Sequence, residues 1–206
     1  GGYSDHIIVP HSKYIVSYGD MDPAQAAPYA CSGLTAFSAL KKIPITSKDD
    51  WIIIIGAGGV GINGILLSPA THKAKILVID NDPEKRKKAI EAGANEAFSP
   101  DDETEIRNKI GIGASAAIDF VGRPETTDLG MSLVKKGGMV IVVGLYGGSL
   151  KLSLPLVPMR SMTLRGSYVG ELRELKELVN IIKSGKIKLI PVKKQGLETA
   201  NQAMSD

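Results

Sequence analysis

Trp51-Ile52-Ile53-Ile54-Ile55 runs straight into Gly56-Ala57-Gly58-Gly59-Val60-Gly61, and this junction narrows the possible folds more than any other stretch. An unbroken apolar, β-branched run of this length predicts a strand buried on both faces, the situation of a parallel sheet covered by helices. At its exit the glycines fall at G-x-G-x-x-G spacing, and each has a physical task. Gly56 permits a tight turn, Gly58 leaves the backbone open to close approach, and Gly61 lets the following helix pack tightly on the sheet. The next apolar run, Lys75 to Ile79, ends in Asp80. A helix N-terminus presents unpaired N–H groups and a positive dipole end to an anion. A carboxylate at the end of the second strand can accept hydrogen bonds from both hydroxyls of a ribose. Glycine loop and acid together point to a dinucleotide, its pyrophosphate at Gly58, Gly59, Val60 and Gly61 and its ribose at Asp80. A purely structural glycine turn, or another nucleotide-type ligand, is the competing reading.

The rest of the chain supports an α/β class with a doubly wound parallel sheet of the Rossmann type. Strands are expected at 51–55, 75–80, 96–98, 114–121 and 138–143, with helices at 59–70, 83–92, 101–109 and 124–135. Asp22-Pro23 and Asp82-Pro83 each pair an N-cap with a proline at the first helical position, and Gly93 is a natural helix stop. Pro69 should end or kink its helix. Further strands are expected at 6–9, 14–17, 150–154, 162–168 and 187–192. Between the last two lies an amphipathic helix over 171–183 with Leu172, Leu175, Leu178, Val179 and Ile182 on one face, and a short helix near 197–204 closes the chain.

Composition removes several function classes. The net charge of +3 is small and dispersed, which argues against nucleic acid; the basic run Lys85 to Lys88 reads as a solvated helix face. No apolar run approaches the ~20 residues that a membrane span needs. A single cysteine, Cys31, excludes an internal disulfide and an all-cysteine metal site within one chain. His6, His11 and His72 have no metal-ligand spacing. A cytoplasmic protein is the expectation.

Set in order, these segments resemble the medium-chain, zinc-type alcohol dehydrogenase family, most nearly its archaeal branch. Gly1 to Pro10 resembles a late strand of that family's catalytic domain, and Ala26 to Ala36 the helix that carries a zinc ligand. The glycine loop, Asp80, the strand end Asp119 to Gly122 and the turn Val143-Gly144-Leu145 continue the likeness. The resemblance implies that Cys31 is a ligand of a catalytic zinc and that Thr35 packs on the nicotinamide ring. It implies that Asp80 and Lys85 contact the adenosine ribose, and that Val121, Val143 and Leu145 hold the nicotinamide end. Each has a plainer alternative: Cys31 as a small buried residue, Thr35 as a packing group, Lys85 as one of four solvated bases. Asp80 would repel a 2′-phosphate that Arg86 could attract, and the better-placed acid favours NAD over NADP.

The resemblance implies a domain order as well: residues 1–28 as a remnant of a mostly-β catalytic domain, 29–190 as the cofactor domain and 191–206 as an incomplete return. The family's other zinc ligands and its proton relay would lie upstream of the position matching Gly1, and a basic residue for the pyrophosphate downstream of Asp206. A chain of these 206 residues is therefore expected to bind NAD(H) but to oxidise alcohols poorly, with its end segments weakly anchored. The substrate of the intact enzyme would be a small alcohol or carbonyl compound. The edge strand expected at 162–168 would pair two or more copies as a homodimer or tetramer. A non-catalytic dinucleotide-binding module and a zinc-independent quinone-reductase relative are the alternatives, and Cys31 speaks against the second.

Overall fold

The computed structural model describes residues 4, 6–44 and 46–205. Its centre is a sheet of β1 (Trp51–Ile55), β2 (Lys75–Ile79), β3 (Glu96–Phe98), β4 (Ala114–Asp119), β5 (Val134–Val142) and β6 (Thr163–Gly166). Every pairing is parallel, and the order is β3-β2-β1-β4-β5-β6. The chain winds outward from β1 in one direction and restarts on its other side at β4. A crevice therefore opens between the carboxyl ends of β1 and β4, where ligands of such sheets bind.

The alternation of β1 divides the core. Ile52 and Ile54 join Ile76, Val78 and Ile118 on one face, under the helices Ser32–Lys41, Gly59–Thr71 and Leu172–Lys183. Ile53 and Ile55 join Leu77, Ile79 and Val140 on the other, under the helices Glu103–Ile110 and Pro124–Leu133. Burying each isoleucine side chain is worth about 1.5–3 kcal/mol. That gain on both faces at once is why the run is uninterrupted.

Local signals set the helix starts. In Pro83–Ala92, the Asp82 carboxylate accepts from the Glu84 and Lys85 N–H groups, Pro83 sits in the first turn, and Gly93 closes the helix at φ 117°. At the amino end of the sheet, the Asp50 carboxylate accepts from Lys135 Nζ at 2.7 Å, the Ser115 hydroxyl at 2.6 Å and the Ser47 N–H at 2.8 Å. Lys135 foremost, then these other donors, hold the Asp50 carboxyl well below the usual carboxylate range. This cluster ties together the starts of β1, β4 and β5.

Several expected elements differ. No strand forms at 6–9 or 14–17; Ser12–Tyr14 is a 3-10 turn, and most of this segment lies exposed. A strand needs a neighbour to complete its ladder, and neither sheet edge has this segment beside it. Residues 150–154 and 187–192 are likewise not strands. Leu150 and Leu152 still pack against the second core face, so their alternation reports burial without pairing. The expected strand at 162–168 shortens to Thr163–Gly166, and β5 begins four residues early, across a register shift between Ala114 and Ala116. Pro69 does not end its helix, which runs two residues further to Thr71.

The last stretch folds back on the first. Gln25 Nε2 donates to the Ile190 carbonyl at 2.9 Å, and the Ile190 N–H donates to the Tyr29 hydroxyl at 3.1 Å. Lys194 pairs with Asp22 at 2.8 Å.

Candidate functional site

The crevice is a cleft of about 600 Å³ at the carboxyl ends of β1, β2 and β4. Its floor is the glycine loop. Gly56 has φ 92°, a conformation side-chain-bearing residues rarely adopt, and a Cβ there would meet the Val121 side chain at 2.7 Å. A Cβ at Gly61 would lie 1.9 Å from the Gly56 carbonyl oxygen, so the helix can begin against the strand exit only without one. Gly58 and Gly59 are different: a Cβ at either would meet nothing within 4 Å. The protein itself leaves their faces open.

Gly58 is the N-cap of the helix Gly59–Thr71, and no side chain caps it. The first N–H groups of a helix have no partner within it, and here they end at an open surface bordering the cleft. Asp80 stands on the neighbouring strand's exit, 8% exposed. Its carboxylate accepts from the Ala57 N–H at 2.7 Å and from the Asp82 N–H at 2.9 Å. Two backbone donors fix its position and satisfy one lone pair on each oxygen, leaving acceptor capacity toward the cleft. Arg86, the residue that could attract a second phosphate, instead donates to the Asp80 backbone carbonyl at 2.7 Å.

Across the cleft a second buried acid organises the exit of β4. Asp119 is fully buried; one oxygen accepts from the Val121 and Gly122 N–H groups and the other from the Thr126 and Thr127 hydroxyls. Four donors on one carboxylate offset its burial and lock the turn. The exits of β4 and β5 then touch: a Cβ at Gly122 would lie 2.0 Å from the Gly144 carbonyl oxygen.

Of the residues singled out from sequence, Gly56, Gly58, Gly59, Val60, Gly61, Asp80, Lys85 and Val121 border this one cleft. Cys31, Thr35, Val143 and Leu145 do not border it. Cys31 is exposed at the N-cap of Ser32–Lys41, where the Thr35 N–H donates to its carbonyl at 2.8 Å. Val143 is buried beside β4, whereas Leu145 is 78% exposed on the turn that follows. Among the described residues, no three His, Cys, Asp or Glu side chains come together as a metal site, so these residues alone do not fit a zinc ion. Sequence reasoning missed Asn81, Phe120, Arg123, Thr126 and Tyr146, which also line the cleft. Their signal was position: Asn81 and Phe120 lie just past the ends of β2 and β4, Arg123 and Thr126 at the start of the helix after β4, and Tyr146 on the turn after β5.

The two kinds of glycine predict opposite outcomes. Gly61→Ala should lower the melting temperature by several degrees, since backbone must move to admit the methyl group. Gly58→Ala, at φ −71° with open space around it, should leave it within about a degree or two. Thermal unfolding followed by circular dichroism checks both, and equal effects would contradict the assignment of Gly61 to packing.

The family described as zinc-binding dehydrogenase matches this chain over residues 59–184. An NAD-dependent alcohol dehydrogenase of Sulfurisphaera tokodaii is 31% identical over 210 residues, covering 100% of this chain and 60% of that protein. A D-arabinose 1-dehydrogenase (NADP(+)) of Saccharolobus solfataricus is 33% identical over 213 residues with the same coverages. The solved structure of the alcohol dehydrogenase of Aeropyrum pernix superimposes with a TM-score of 0.82 at 30% identity, over 90% of this chain and 56% of that one. The chain thus spans about 60% of the length of the curated relatives it matches. By the extent of the family match and by a fold shared with these dehydrogenases, it belongs to the zinc-binding dehydrogenase family.

Proposed function

We propose that the chain is the NAD(H)-binding part of a zinc-dependent alcohol dehydrogenase. The observation that carries this reading is the uncapped helix start at Gly58, open to the cleft, with the Asp80 carboxylate held at the neighbouring strand exit. In this reading the N–H groups of Gly58 to Gly61 bind the pyrophosphate, aided by the helix dipole. Asp80 accepts from the adenosine ribose hydroxyls and Lys85 stands beside it. Because Asp80 is fixed by two backbone donors, it cannot turn away from a 2′-phosphate, and like-charge repulsion favours NAD. One relative of similar identity is named for NADP(+), so this selectivity belongs to the individual chain.

Thr35, Val121, Val143 and Leu145 take the nicotinamide end. The chemistry supplied by bound NAD⁺ is acceptance of the hydride that an alcohol loses as it becomes a carbonyl, the hydroxyl proton passing to solvent. Cys31 offers a single thiol toward zinc in the intact protein. Residues 1–28 and 191–206 belong, in this reading, to the catalytic domain that 29–190 serves, and the location is cytoplasmic. No helix among the described residues is long and apolar enough to cross a membrane.

Titration with NADH, followed by its fluorescence, should show saturable one-site binding, and NADPH should bind at least tenfold more weakly. Asp80→Ser should bring the two together by weakening NADH and sparing NADPH. No saturable NADH binding would overturn the reading; preference unchanged in Asp80→Ser would overturn the role of Asp80. The same reading pairs copies through β6, whose residues Thr163–Gly166 are all exposed at the sheet edge. Light scattering should give a mass of two or four times 21.8 kDa. A monomer at micromolar concentration would contradict the pairing.

A further inference from the structure

Asn63 is fully buried in the helix Gly59–Thr71, and its amide group reaches the neighbouring helix Ser32–Lys41. Its Nδ2 donates to the Gly59 carbonyl at 3.0 Å and to the Ser32 hydroxyl at 3.2 Å. A carbonyl can only accept, so Gly59 fixes which end of the amide is nitrogen. The Ser32 hydroxyl passes the link on, donating to the Pro28 carbonyl at 2.8 Å. Asn63 Oδ1 is left buried with no hydrogen-bond partner among the described residues. An unpaired buried acceptor is destabilising, and an apolar side chain of similar size would avoid that cost. Stability alone therefore does not account for an asparagine here.

Its placement does account for it. The two bonds join the first turn of one helix to the first turn of the other. On one side lies Gly59, at the open helix start; on the other lies Ser32, next to Cys31 and one turn before Thr35. Leu34, Phe37 and Leu40 share a core with Ile65 and Leu67, but apolar contacts are non-directional and tolerate a small slide between helices. Hydrogen bonds hold a narrow range of lengths and angles, so a buried polar pair can fix a register that apolar packing leaves loose. Pyrophosphate and nicotinamide are joined through a single ribose. One dinucleotide reaches both ends only if the two helix starts keep a fixed offset. We infer that Asn63 is a positioning residue: bonded to Ser32, it sets Thr35 at the distance from the glycine loop that the nicotinamide ring requires. The inference rests on the proposed places of pyrophosphate and nicotinamide. It goes further by assigning the spacing between them to a residue that does not border the cleft.

The test compares NADH with ADP-ribose, which carries the pyrophosphate without the nicotinamide, by calorimetric titration of the 206-residue chain. The unsubstituted chain should bind NADH more tightly than ADP-ribose. In Asn63→Leu, NADH should weaken about fourfold, the loss expected when one methyl group no longer packs on the ring, and ADP-ribose should stay within about 1.5-fold. Ser32→Ala, which cuts the same link from a half-buried position, should show the same split. Ser32→Thr, which keeps the hydroxyl, should retain NADH affinity to within about twofold, and the double variant of Asn63→Leu with Ser32→Ala should be no weaker than either alone. Equal weakening of both ligands in Ser32→Ala would overturn the inference by assigning the link to general stability. So would unaltered NADH affinity in that variant, a loss that Ser32→Thr fails to restore, or additive losses in the double variant. An unsubstituted chain that binds NADH no more tightly than ADP-ribose would instead overturn the nicotinamide role of Thr35, on which the inference stands. Failure to bind either ligand would overturn the dinucleotide reading itself.

Discussion

Everything at the functional end of this molecule depends on how closely the helix after β1 approaches the strand it leaves. Gly61 sits against the Gly56 carbonyl with no room for a methyl group between them. That contact brings a helix N-terminus to the mouth of the crevice instead of a turn away from it. Once the helix starts there, the Ala57 N–H is placed to hold Asp80, and the open faces of Gly58 and Gly59 border the cleft. A single side chain at position 61 would displace the helix start and, through Ala57, the Asp80 carboxylate together. The loop thus joins a contact with no room for a methyl group to an open surface, in residues three apart.

The opposite wall is built by different means. Asp119 gathers two N–H groups and two hydroxyls at full burial, so the β4 exit is fastened by hydrogen bonds where the β1 exit is fastened by close packing. The Gly122–Gly144 contact then carries that rigidity to β5 and to Tyr146 beyond it. One wall offers backbone groups at an uncapped helix start; the other presents side chains. Preorganisation on both sides means that a ligand would order little of the protein when it binds, which favours affinity.

What was legible in the sequence was what is local. The isoleucine run of β1, the proline-led helix Pro83–Ala92 with its Asp82 cap and Gly93 stop, and the glycine loop lie where their residues predict, because each depends on neighbours within a few positions. The expected strands at 6–9, 14–17 and 150–154 failed for the complementary reason. Alternating apolar residues fit a strand, but a strand exists only if a partner offers a ladder, and none adjoins them. The early start of β5 depends on its register with Ala114, a fact about two segments some twenty residues apart. Arg123 and Tyr146 were overlooked similarly: nothing in either's neighbourhood signals the other, and only the meeting of the β4 and β5 exits brings them together.

The central claim is that the open helix start at Gly58 to Gly61 is an anion site for a dinucleotide pyrophosphate. Backbone amide resonances report on those N–H groups directly, and a chain of 21.8 kDa suits two-dimensional NMR. On titration with NAD⁺, the Gly58, Gly59, Val60 and Gly61 amide signals should shift together with one saturation curve, accompanied by those of Ala57 and Asn81. Saturable shifts confined to other parts of the chain, with these four amides unmoved, would contradict the account.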